Sequence, residues 1–288
     1  MKEGRNPLRG CLYCRTTSTV AKLQDFASSV AIVVSSCDAF FDAWRPFYFF
    51  FRKFWPECPF RSYLIVNGLR IRCERMQAIA VGADRGWSSN MKTALREITE
   101  PRLLYLQEDY FLDAPVHHEQ LATDFQQAVE QDADSLCLRA RSQLEPGFRH
   151  FTERIGLVPP DSDGRTRCQL TLWKRDALLS VLHDGENAWE MEARGSERTR
   201  DMRIFSYSTR ENLPIQYLMS AIVRGLWAPE ALALCDRHHV SITPRLRGIY
   251  TSNALLRRFR RARAGVAMRA ALAEQPAKII DLDAVTSI

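Results

Sequence analysis

No uninterrupted apolar run reaches the roughly eighteen residues that a membrane span requires, which argues against an integral α-helical membrane protein. Residues 1–15 carry charge but no apolar stretch ahead of a cleavage-like site, so no secretory leader is expected. Eight cysteines in 288 residues do not make a disulfide scaffold, and a reduced, cytosolic protein is the expectation. Cys11 and Cys14 form a C-x-x-C, but no second pair follows at the spacing of a zinc site. Internal repeats and low-complexity runs are missing. So are the Gly-x-Gly-x-x-Gly, Walker and Gly-x-Ser-x-Gly patterns.

A strong excess of one charge sign is also lacking over most of the chain. The net charge is +6, and residues 251–288 supply most of it, with seven basic side chains against three acidic. A nearly balanced body with a basic extension speaks against a nucleic-acid-binding surface, and no nucleic acid partner is expected. The chain is 46% apolar, enough to bury one large domain and offset its ordering cost.

The apolar, β-branched run at 29–35 reads as a strand buried on both faces. Asp38 is placed to cap a following helix on which Phe40, Phe41, Trp44, Phe47, Phe51 and Phe54 recur, with Pro46 expected to kink it or shift its start. Further strands are read at 61–67, 77–81, 102–107, 135–139 and 169–173. Helices are read from Ser88 or Ser89 to Pro101, and at 117–130, 175–183, 215–224, 228–237 and 253–273. Residues 141–167 read as a long loop, and 186–196 as a polar turn anchored by Trp189. Strands alternating with helices predict a mostly parallel sheet covered on both faces. Ligands on such sheets bind at the carboxyl ends of the strands, where Ser35, Ser36, Asp38, Asn67, Glu108 and Asp109 would fall.

Two segments carry candidate chemistry. An apolar strand that stops on Glu108 and Asp109 sets two carboxylates where the sheet meets water, as a phosphate-bridging divalent cation needs. Glu190 and Glu192 flank Met191 beside Trp189, and a carboxylate partly desolvated by an indole has a raised pKa suited to general-base work.

In their order along the chain these segments resemble the GT-A type nucleotide-sugar glycosyltransferases, in particular bacterial glycosyltransferase-like proteins linked to capsule and lipopolysaccharide synthesis. The resemblance rests on the run from Gly86 to Leu95, on Gln107, Glu108 and Asp109, on the run from Trp173 to Leu178, and on 185–196 and 222–230. It implies a GT-A-like, Rossmann-like domain over 29–250, between a polar lead-in at 1–28 and a basic helical extension at 251–288. It further implies that Ser35, Ser36, Asp38, Asn67, Trp87, Asn90, Glu108 and Trp189 meet a nucleotide-sugar donor. Glu192 matches the Glu of the family's Trp-x-x-Glu pattern and would be the base of an inverting transfer, with Glu190 its near rival. Asp109, and His238 or His239, would hold a divalent metal, Mn2+ or Mg2+. Here the chain departs from the family, because Gln107 stands where the first Asp of Asp-x-Asp is expected. The acceptor implied is a glycan or lipid-linked, and the Arg-rich helix at 253–273 suits either the anionic inner face of a membrane or the surface of the domain. A nucleotidyltransferase and a non-catalytic scaffold are the alternatives.

Overall fold

Val30, Ala31, Ile32, Val33 and Val34 are all fully buried, so β1 (Val30–Ser35) has no solvent face. A computed structural model describes residues 21–141, 145–275 and 278–284, and Cys11 and Cys14 lie outside them. After β1 come α1 (Phe41–Phe54), β2 (Arg61–Val66), β3 (Arg70–Arg72), β4 (Gln77–Ala80) and α2 (Trp87–Leu95). Then follow β5 (Arg102–Gln107), β6 (Phe111–Leu112), α3 (His118–Glu130), β7 (Ser135–Ala140), β8 (Arg149–His150), β9 (Ile155–Leu157) and β10 (Thr171–Lys174). The C-terminal part contains α4 (Arg175–Val181), α5 (Ala188–Arg198), β11 (Ile204–Tyr207), β12 (Tyr217–Leu218), β13 (Ile222–Val223) and β14 (Leu226–Trp227). Last come α6 (Pro229–Arg237), α7 (Pro244–Arg247), α8 (Ala254–Glu274) and β15 (Ile279–Asp281).

Nine strands form one sheet in the order β4-β2-β1-β5-β10-β7-β11-β9-β8. β4, β2, β1 and β5 are mutually parallel, as are β7 and β11, while β10 and β9 run against their neighbours. Alternation along each strand feeds two cores. Ile32, Val34, Leu104 and Leu106 join the aromatic side of α1 and the apolar sides of α3 and α6. Ala31, Val33, Leu103 and Tyr105 face Met91 of α2, Leu178 of α4 and Met191 of α5. This is the expected α/β class, a mostly parallel central sheet with helices on both faces and a basic C-terminal helix.

From β1 the chain builds outward to β2 and β4, then crosses back to place β5 on the other side of β1. The carboxyl ends of β1 and β5 therefore flank a topological switch point, where a crevice opens between diverging connections. Ser35 pairs in register with Gln107, which brings residues 35–37 and 107–109 to the same rim.

Four local expectations are corrected. Asp38 does not cap α1; it opens a single 3-10 turn (Asp38–Phe40), and its carboxylate accepts N–H bonds from Asn67, Gly68 and Leu69 at 2.8–3.0 Å. Residues 186–196 are mostly helix, because Asn187 and Glu190 form a reciprocal capping box that starts α5. Residues 215–224 are not helical: β12 pairs with β6, and β13 with β14. The 141–167 segment also contains β8 and β9, which lengthen the sheet edge.

The C-terminal segment packs on the body. β15 runs parallel to β3, Asp283 accepts from Tyr48 Oη at 3.0 Å and Arg52 Nη1 at 3.1 Å, and α8 lies against α7. Among the described residues no helix is long and apolar enough to cross a membrane.

Candidate active site

Two hollows meet at the switch point. The first, of about 350 Å3, runs from Ser35, Ser36 and Cys37 past Trp87 and Asn90 to Cys168, Gln169 and Glu192. The second, of about 470 Å3, lies between Asp109, Arg224 and Arg247 and the α8 residues Arg261, Ala264 and Met268. Phe40, Gln107, Glu108, Trp189 and Ser220 line both, so they form one composite cleft. Trp189 stands 77% exposed at their junction, an indole face without an intramolecular cover.

β5 delivers the acidic pair. Glu108 and Asp109 are both buried, and burial raises both carboxyls, Glu108 further through the charge of Asp109. Asp109 Oδ2 accepts the Ile222 N–H at 3.3 Å, and its carbonyl accepts the Ala221 N–H at 2.9 Å. These bonds tie the segment before β13 to the rim and explain why it is not helical. Asp109 Oδ1 is buried with no partner. A buried carboxylate oxygen left unpaired beside a second carboxylate fits a hard divalent cation. Among the described residues no three His, Cys, Asp or Glu side chains converge as a metal site, so phosphate or water oxygens would complete its coordination.

α5 delivers Glu192. Its Oε1 accepts the Cys168 N–H at 2.6 Å, and its carboxyl is raised by burial despite that bond and the nearby Arg167 charge. Gly195, one turn later, lets α5 approach Thr166, since a Cβ there would lie 2.5 Å from Thr166 Oγ1. Thr166 Oγ1 in turn donates to the Glu192 carbonyl at 3.1 Å. Cys37 is pushed up to about 12, chiefly by burial with Glu108 adding, and Cys168 is raised by burial. Both stay thiols at neutral pH, which removes them as nucleophiles.

The structure thus brings Ser35, Ser36, Trp87, Asn90, Glu108, Asp109, Trp189 and Glu192 to one cleft. Asn90 reaches it through the loop it holds, its Nδ2 donating to Asp84 Oδ1 at 2.8 Å and its Oδ1 accepting from Arg85 N at 3.1 Å. Trp87 Nε1 and Gln107 Nε2 both donate to the Tyr105 hydroxyl, at 3.2 and 2.9 Å, which fixes the indole against the rim.

Other expected residues do not join. Asp38 and Asn67 line neither hollow and bind each other, the Asp38 N–H donating to Asn67 Oδ1 at 3.0 Å. Glu190 spends its carboxylate on the Asn187 N–H at 2.9 Å, so it caps α5. His238 and His239 line neither hollow. His238 Nδ1 lies 2.9 Å from Lys53 Nζ, and its ring packs edge-on to Phe50 and Phe54 at the carboxyl end of α1. His238 is moreover lowered by burial and by Lys53, a setting that favours its neutral form without any acidic partner.

Sequence reasoning missed Asp84, Gln169, Ser220, Arg224 and Arg261, all on the cleft. Gln169 Oε1 is buried without a partner, an acceptor open to a ligand donor. By sequence Arg261 stands out only as tail charge, and its place on the cleft depends on the packing of α8 against the body, which no local motif marks.

No family model and no curated protein matches the chain. Among solved structures it is similar to S. aureus TarS 1-349, with 10% identity and a TM-score of 0.41 over 66% of this chain and 59% of that one. The same region of TarS in complex with UDP-GlcNAc aligns at 12% identity and 0.39, over 64% and 59%. A UDP-glucose pyrophosphorylase complexed with UDP-glucose aligns at 8% and 0.39, over 66% of this chain and 90% of that one. The chain spans less than two thirds of the length of these TarS structures. At these identities and TM-scores membership of no family follows.

Proposed function

We propose that the chain is a GT-A type glycosyltransferase that moves a sugar, with inversion, from a nucleotide-diphospho-sugar to a hydroxyl of a glycan or lipid-linked acceptor. One observation carries the proposal: a desolvated carboxyl, Glu192, and a buried carboxyl pair, Glu108 and Asp109, line one composite cleft at the switch point of the sheet. The nucleotide would lie along Ser35, Ser36 and Trp87, the diphosphate at Glu108, and the sugar toward Glu192. The two hollows fall in the range of about 300–1,000 Å3 usual for small-molecule sites.

In this scheme the acceptor hydroxyl gives its proton to Glu192 as its oxygen attacks the anomeric carbon. The bond from that carbon to the diphosphate oxygen breaks, and the leaving nucleoside diphosphate keeps the electron pair. Arg224 and Arg261 on the second hollow offset the charge that grows there, a contribution that is usually the largest in such chemistry. A divalent cation held by Asp109 with Glu108 would supply further compensation of the same charge.

The test is release of nucleoside diphosphate from a panel of nucleotide sugars, with and without Mn2+, for the natural chain and Glu192→Gln. The variant should keep donor affinity and lose turnover by about 100-fold or more, the usual worth of a positioned base. Full turnover in Glu192→Gln would reject the base, and pyrophosphate release from a nucleoside triphosphate would identify a nucleotidyltransferase instead.

A further inference from the structure

We propose that the outer face of α8 docks on an anionic bilayer surface. α8 is fixed to the body by its other side: Met268 is buried, Arg260 Nη1 donates to the Ile249 carbonyl at 2.6 Å, and the helix lies against α7 and β14. That leaves Leu255, Phe259 and Val266 turned outward, 82%, 60% and 61% exposed. At 3.6 residues per turn these three and Ala262 fall within about 60° of one another and make a continuous apolar stripe. Arg258 and Arg269 border it on one side and Arg263 on the other, all exposed. No acidic side chain occurs between residues 254 and 273.

An apolar stripe flanked on both sides by arginine is the pattern of a helix that lies in the interface of a bilayer, apolar side down and cations at the headgroups. Charge complementarity chooses this occupant. A second copy of the chain would set Arg258, Arg263 and Arg269 against their own kind, and a nucleic acid would set phosphates over Leu255, Phe259 and Val266. The face stands independently of what the cleft binds. Because Arg261, Ala264 and Met268 of the same helix line the second hollow, docking would hold that hollow beside the bilayer.

The test is co-sedimentation of the full chain with vesicles of phosphatidylglycerol and phosphatidylcholine, against vesicles of phosphatidylcholine alone. Binding should be at least tenfold tighter to the anionic vesicles. The combined variant Leu255→Ser, Phe259→Ser, Val266→Ser should lose it by tenfold or more with its melting temperature unchanged, since all three side chains are exposed. Replacing Arg258, Arg263 and Arg269 by Ala should cost about fivefold each. Amides of 254–274 in the natural chain should exchange more slowly with anionic vesicles present, a readout that needs no variant. No binding to either vesicle, undiminished binding by the stripe variant, or unchanged exchange would overturn the proposal. So would a dimer that the stripe variant dissociates, or duplex DNA binding that it retains.

Discussion

At the scale of single residues, burial sets the chemistry of both carboxylate groups on the cleft. Asp109 shows it most clearly, because burial pushes it up to about 7 from 3.8 although its carboxylate accepts the Ile222 N–H. An acid that holds its proton more tightly when folded makes the fold less stable as pH rises from the unfolded to the folded value. The melting temperature should therefore fall between about pH 4 and pH 7, in part through this group. Asp109→Asn should flatten that slope and raise the melting temperature at pH 8, by about 2–4 °C for each kcal/mol relieved. If the slope is unchanged in the variant, Asp109 is not a strained carboxyl. Mn2+ should restore stability to the natural chain at pH 8 by mass action, and do so less for Asp109→Asn. An equal metal response in both would remove Asp109 from the ligand set.

At the scale of elements, α5 shows how packing places a functional group. Gly195 meets Thr166 where no Cβ fits, and Thr166 holds the backbone of Glu192. Gly195→Ala should cost about 1–3 kcal/mol through overpacking and lower turnover by displacing Glu192, with donor affinity little changed. Denaturant melts and nucleoside diphosphate release check the two arms. The same element marks how far the sequence could be read. The strands of the sheet were legible because β-branched runs such as Val30 to Val34 are buried on both faces and leave one interpretation. α5 was not, because Gly195 and the polar residues around it suggest a turn, while its real start signal is the Asn187 and Glu190 capping box. Residues 215–224 failed for a different reason. Their conformation comes from Asp109 and β6, more than a hundred positions earlier in the chain, and local periodicity carries no trace of that pairing. Glu192, Glu108 and Asp109, which line the cleft, were legible as candidates by type or by strand end. Asp38, Asn67 and Glu190 were of the right type but are taken up by backbone N–H groups, which only geometry reveals.

On the scale of the whole molecule, the C-terminal segment is part of the cleft's construction. Arg247 in α7 forms a buried ion pair with Asp42 at the start of α1, its Nε 2.9 Å from Oδ2, and lines the second hollow. Asp42 is raised by burial even with Arg247 beside it, so removing the partner leaves an uncompensated buried carboxylate. Arg247→Met should destabilise the fold by about 3–5 kcal/mol, measured by denaturant melts. A loss below about 1 kcal/mol would mean the pair is not buried in solution. α7 and α8 thus close one side of the crevice between β1 and β5, where the strand order reverses.

Whether that crevice holds a sugar diphosphate is tested most directly by calorimetric titration of the chain with nucleoside diphosphates and nucleotide sugars, alongside Trp189→Ala and Glu108→Gln. Saturable one-to-one binding of at least one nucleotide sugar, weakened by both substitutions, is the expected result. Failure of every nucleotide sugar to bind, or binding that neither substitution alters, would contradict it.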